Sequence, residues 1–247
     1  MITLLPNQTM LRDFSQMHPM NLLFDLDGTL LDTAPDLHNT LNHCLKTFDR
    51  DLVSLESVKH MVGQGARVLL EKGLKATGGL PANDEFEELV TLFFDHYRDH
   101  LSVHSFPYPA VRETLDHLQK SDCKMGVCTN KPYEFAKTII HDYQMADYFS
   151  VITGGDSFDI RKPDPAHITK TLEMLPPLNG PSVMIGDTHN DIDAANSAGI
   201  YSIAVTFGYS QTPANQLGAA YVIDHFDQLT GILDEISRHH LEKAEGS

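Results

Sequence analysis

The chain has no tryptophan, only three cysteines, and 18 lysines plus arginines against 34 acids in 247 residues. Each shortage excludes something. Cys44, Cys123 and Cys128 are odd in number and form no CxxC pair. Neither a disulfide scaffold nor a zinc ribbon is expected, and a reducing, cytoplasmic setting is the default. The net charge of −16 speaks against nucleic acid, whose binding rests on cations meeting phosphates. It speaks equally against a basic membrane-surface protein. No apolar run approaches a membrane span. The first twenty residues lack the basic start and long apolar stretch of a secretory signal. No internal repeat or low-complexity stretch is visible.

What is present is a chain long enough for a sizeable core, 41% hydrophobic, in which short apolar runs alternate with amphipathic patterns. The runs are NLLF (21–24), KMGVCT (124–129), SVMIG (182–186), YSIAVTF (201–207) and YVID (221–224). Helical patterns lie between and after them, at about 110–121, 132–143, 165–175, 190–199 and 226–237. Such alternation predicts an α/β fold, a Rossmann-like doubly wound parallel sheet with helices on both faces. Ligands in such sheets bind beyond the carboxyl ends of the strands. Here those ends carry Asp25, Asp27, Thr129, Asn130 and Asp187.

Residues 37–104 break the alternation. Leu37, Leu41, Cys44, Leu45 and Phe48 recur at spacings of three and four, as do Phe86, Leu89, Val90, Phe93, Phe94, Tyr97 and Leu101. Each set covers one helix face. The division expected is an extension at 1–20, an α/β core at 21–36 and 105–237, a helical insertion at 37–104 and a tail at 238–247. The insertion holds 7 basic and 10 acidic residues, leaving 11 against 24 elsewhere. A site for anions in the sheet domain therefore needs local cations.

Asp25-Leu26-Asp27-Gly28-Thr29 follows directly on the first apolar run. Two carboxylates at a strand end can share a hard divalent cation such as magnesium, with a phosphate completing the shell. Taken alone, the DxD carries little weight against a capped strand–helix turn. Gly186-Asp187-Thr188-His189-Asn190-Asp191 repeats the theme, and taken alone it reads as helix capping. It lacks the glycine and the glutamate of an EF-hand loop. Thr129-Asn130 and Lys162-Pro163 offer a hydroxyl, an amide and a compact positive charge, all suited to phosphate oxygens. Gly63-Gln64-Gly65 fails the dinucleotide fingerprint, because Val68 stands where its third glycine belongs and no strand precedes it. His96, His100 and His104 recur every four residues without an HExxH, and are expected on a solvated helix face.

In that order, DxDGT, Thr129-Asn130, Lys162-Pro163 and GDxxxD resemble the four motifs of the haloacid dehalogenase-like hydrolases. The resemblance runs from Asn21 to about Ser237. Within the family, DLDGTLLDTAPD (25–36), CTNKP (128–132) and GGDSFDIRKPDP (154–165) are similar to the phosphoglycolate phosphatase branch. The resemblance implies a small helical cap domain inserted after the first strand, closing as a lid. It implies that Asp25 is the nucleophile that becomes an aspartyl phosphate, and that Asp27 is general acid and then general base. Thr129, Asn130 and Lys162 would hold phosphoryl oxygens. Mg2+ would sit on the Asp25 carboxylate, the Asp27 carbonyl and Asp187, with Asp191 orienting Lys162 or a metal-bound water. Arg67 is the candidate lid residue for a substrate carboxylate.

The implied activity is a magnesium-dependent phosphatase of a small phosphorylated metabolite, 2-phosphoglycolate first, working as monomer or homodimer. Two other readings share the scaffold. One is a sugar phosphomutase resembling beta-phosphoglucomutase. The other is a non-catalytic binder of a phosphorylated ligand, which the intact motif positions disfavour.

Overall fold

The computed structural model describes residues 18–245. The expected extension therefore falls almost wholly outside the described residues. Asn21–Phe24 form β1 and Leu31–Asp32 form β2. Four helices follow: α1 (Ala34–Thr47), α2 (Leu55–Lys59), α3 (Ala66–Ala76) and α4 (Asn83–Asp99). Next come β3 (Phe106–Pro107), α5 (Val111–Lys120), β4 (Lys124–Cys128) and α6 (Tyr133–Asp142). Then β5 (Val151–Thr153), α7 (Pro165–Met174), β6 (Ser182–Gly186) and α8 (His189–Ser197). The chain ends with β7 (Tyr201–Val205), β8 (Tyr221–Ile223) and α9 (Leu229–Glu245), which runs past the helix end expected near 237.

Six strands form one parallel sheet in the order β5-β4-β1-β6-β7-β8. The sequence of β1 shows why helices cover both faces. Successive strand side chains point to opposite faces, so Leu22 and Phe24 enter one layer with Val111 and Leu115 of α5, Ile139 of α6 and Leu233 of α9. Leu23 enters the other, with Ile168 of α7 and Ala194 and Ala195 of α8. All three cysteines are buried and free.

Helices α1 to α4 build a separate core from Leu37, Leu41, Leu69, Leu70, Phe93 and Tyr97 among others, and it meets the sheet layers through Phe135 of α6. The chain enters this helical unit through β2 and leaves it through β3. The two strands pair antiparallel, Leu31 with Pro107 and Asp32 with Phe106. Among the described residues no helix is long and apolar enough to cross a membrane.

Candidate active site

The strand order reverses at β1. Phe24 is in register with Val127 of β4 on one side and with Ile185 of β6 on the other. Asp25, Thr129 and Asp187 therefore emerge side by side beyond the strand ends, the place where open α/β sheets bind ligands. One ligand oxygen each from Asp25, Asp187 and Asp191 lies within 4.8 Å of the others, and all three residues are buried. Lys162, 2% exposed, places Nζ 2.5 Å from Asp191 Oδ1 and 3.2 Å from Asp25 Oδ1. Burial works against its charge, but Asp191 and Asp25 outweigh burial and hold its pKa above the usual lysine value. Asp191 Oδ2 accepts from Thr188 N at 3.0 Å and Thr188 Oγ1 at 2.9 Å, closing the first turn of α8. Asp191 thus ties Lys162 to a rigid helix end.

Asp25 and Asp187 are electrostatically uncomfortable. Burial pushes the Asp25 carboxyl up to about 6; Lys162 pulls it down, and Asp191 and Asp27 add to the rise. Burial first, then Asp191 and Asp25, raise Asp187 well above the carboxylate range. Asp25 Oδ1 is buried and accepts no hydrogen bond, despite its ion-pair distance to Lys162. Crowded carboxylates with an unbonded oxygen are what a hard divalent cation relieves. The surroundings fit. Asp187 accepts from Tyr209 N at 2.7 Å and Thr29 Oγ1 at 3.3 Å. Backbone then crowds it: a Cβ on Gly28 or Gly208 would fall 2.5 or 2.4 Å from Asp187 Oδ2.

The Asp27 side chain makes a different set of contacts. Its Oδ1 accepts from Thr33 Oγ1 at 2.6 Å, and Lys131 Nζ sits 3.0 and 3.3 Å from its two oxygens. Lys131 is 4% exposed and also donates to the Tyr97 hydroxyl of α4 at 2.6 Å. Thr129 Oγ1 accepts from Lys131 N at 3.2 Å. Asn130 Nδ2 donates to Lys162 O at 2.9 Å and to Gly63 O at 3.1 Å; Asn190 Nδ2 donates to the same Gly63 carbonyl at 3.0 Å. Two core amides therefore grip one carbonyl of the helical unit, which closes over the acids. The cleft beneath is lined by Asp25, Asp27, Thr129 and Lys131 from the sheet, and by Leu69 and Tyr97 from above.

The structure brings Asp25, Asp27, Thr129, Asn130, Lys162, Asp187 and Asp191 together. It does not bring Arg67. That guanidinium is half exposed, pairs with both carboxylate oxygens of Glu87 and lies over the Phe86 ring at 4.8 Å. It is absent from the described cleft lining. Leu69, Leu70 and Leu74 take the buried face of α3, and Arg67 falls on the outer one. Nor do His96, His100 and His104 share the one helix face expected of them, because α4 ends at Asp99 and only His96 lies within it. His96 and His100 stack at 4.1 Å, and His43 stacks on His96.

Sequence reasoning missed the role of Lys131. Its position directly after Thr129-Asn130, at the end of a central strand, was the available signal. Gly208-Tyr209 fits the resemblance, but nothing in the sequence shows what the Tyr209 hydroxyl does: it receives Thr33 N at 2.7 Å and Ala34 N at 2.9 Å and donates to Asp32 Oδ1 at 2.7 Å. This pins the start of α1 to the core.

The family model of the haloacid dehalogenase-like hydrolases matches residues 22–205. The chain belongs to that family. It is 40% identical over 213 residues to a phosphoglycolate phosphatase of Agrobacterium fabrum, covering 86% of this chain and 91% of that one. A phosphoglycolate phosphatase of Mesorhizobium japonicum is 38% identical over 214 residues, covering 87% and 94%. Among solved structures, one described as a predicted phosphoglycolate phosphatase from Haemophilus somnus superposes with a TM-score of 0.80 at 30% identity, over 86% of this chain and 96% of that one. This hydrolase is a phosphatase, acting on phosphoric monoesters.

Proposed function

We propose that the phosphatase is magnesium-dependent, hydrolyses 2-phosphoglycolate to glycolate and phosphate, and works through an aspartyl phosphate on Asp25. The observation that carries the mechanism is Asp25 itself: it lines the cleft, and its buried, unbonded Oδ1 lies 3.2 Å from the Lys162 ammonium. A carboxylate needs no deprotonation at neutral pH and suits a nucleophile. Asp25 attacks phosphorus, and the ester oxygen leaves with a proton from Asp27. Asp27 then takes a proton from the water that splits the acyl phosphate. Lys162, Thr129 and Asn130 hold phosphoryl oxygens, and Asp191 keeps Lys162 in place. The Asp25 and Asp187 carboxylates and the Asp27 carbonyl would hold magnesium, which when bound offsets charge between nucleophile and substrate.

Residues 37–104 serve as the cap, and the β2–β3 pair is its hinge. The two amides on the Gly63 carbonyl support a closed form that keeps water from the first step. The substrate reading rests on the phosphoglycolate phosphatases matched over nearly the whole chain. Phosphate release with magnesium tests it, across 2-phosphoglycolate, hexose phosphates, nucleotides and pyrophosphate. The expected result is a kcat/KM at least about tenfold higher for 2-phosphoglycolate, a gap of about 1.4 kcal/mol. A flat profile removes the substrate, and an isomerised sugar phosphate without free phosphate replaces hydrolysis by a mutase reaction.

A further inference from the structure

The substrate proposed above carries two anionic ends, and the cation expected for the carboxylate, Arg67, is turned outward onto Glu87. Among the described residues that line the cleft, Lys131 alone is cationic. It is buried at the end of β4, and its ammonium is held between the core through Asp27 and the helical unit through Tyr97. Lys162 is committed to Asp25 and Asp191 at the phosphoryl end.

We propose that Lys131 is the specificity-determining residue of this phosphatase, pairing with a carboxylate one carbon away from the ester oxygen and giving up its grip on Asp27 as it does so. The inference rests on the substrate reading above and names the group that recognises that substrate.

The chemistry of the ester sets the geometry. Asp27 must reach the ester oxygen to protonate it. In a phosphorylated 2-hydroxy acid the carboxylate hangs from the carbon next to that oxygen. An ammonium within 3.0 to 3.3 Å of both Asp27 oxygens is therefore within reach of that carboxylate. Asp27 is not stranded when the ammonium turns, because Thr33 Oγ1 still donates to it at 2.6 Å. The lysine is already desolvated and ordered, so little side-chain freedom remains to be lost on binding. A buried ammonium with a new partner makes a charge-assisted hydrogen bond, the strong kind. An ester lacking the carboxylate leaves the Lys131–Asp27 pair closed and the acid restrained. The Tyr97 contact, from α4, ties the same ammonium to the helical unit.

The test compares 2-phosphoglycolate with ethyl phosphate, the same ester with a methyl group in place of the carboxylate. Full-length wild type and Lys131→Met are assayed with magnesium for kcat/KM on both. Damage to Asp27 lowers both substrates alike and cancels in their ratio. The expected result is a wild-type preference for 2-phosphoglycolate that shrinks about 10- to 100-fold in the variant. Should Lys131→Met fail to fold, Lys131→Gln carries the same measurement, because its amide can still bridge Tyr97 and Asp27 without charge. A preference unchanged in the variant overturns the role of Lys131 and leaves the substrate standing. Absence of any wild-type preference removes both.

Discussion

Asp36 and Ser105 fasten the two crossings between the sheet and its helical insertion. The Asp36 carboxylate accepts from Ser105 N at 2.8 Å, Ser105 Oγ at 2.6 Å and His104 N at 2.9 Å. One residue lies where the chain enters the insertion and the other where it leaves. A buried carboxylate serving several donors cannot be removed without leaving those donors unpaired. Asp36→Ala is expected to cost about 3 kcal/mol, lowering Tm by roughly 6–12 °C for a chain of this size. Thermal unfolding measures it, and an unchanged Tm would mean the carboxylate does not hold the crossings together.

Much of this arrangement was legible in the sequence. The runs at 21–24 and 182–186 became β1 and β6 because each is apolar, bounded and followed by a polar residue, and the run at 201–207 became β7, which stops two residues earlier at Val205. Asp25, Asp27, Asp187 and Lys162 stood out in the sequence because they follow apolar runs or sit in a polar loop, and Asp191 because it opens the helix after such a run. Val151–Thr153 was missed as β5: three residues before Gly154-Gly155 are too few to show a period. Arg67 was misplaced because spacing tells that a residue is helical but not which neighbouring helix covers its face. Lys131 was passed over because lysines are ordinarily exposed, and its partners Asp27 and Tyr97 are distant in sequence. Only folding makes that contact visible.

Asp25 yields a prediction with a definite sign. Its carboxyl rises from an ordinary 3.8 to about 6 on folding, mainly through burial. Between those values the metal-free native state binds more protons than the unfolded chain, so this group's effect is to lower stability as pH rises. Above pH 6 the cost is about 3 kcal/mol, from roughly two pKa units. In EDTA at pH 8, Asp25→Asn is therefore expected to be more stable than wild type by about that amount. The advantage should fade as pH falls from about 6 to about 4. Denaturant unfolding at several pH values checks this. The same variant should lose at least about 10³-fold in kcat, because the nucleophile is gone. Retained turnover would rule out the aspartyl phosphate.

Gly208 tests the metal reading without touching a ligand. It follows Phe207 in the loop after β7, and a Cβ there would lie 2.2 Å from Asp187 Cβ and 2.4 Å from Oδ2. The backbone N–H of the next residue, Tyr209, holds that same carboxylate at 2.7 Å. Gly208→Ala therefore pushes Asp187 out of its place while leaving all three acids in the chain. Overpacking of this kind costs about 1–3 kcal/mol of stability, and displacing a ligand by its support typically weakens metal affinity about 10- to 100-fold. Calorimetric titration with magnesium should show that loss, with kcat recovering in part at high magnesium. If affinity is unchanged while stability falls, Asp187 is not a ligand and the cation sits elsewhere among the acids.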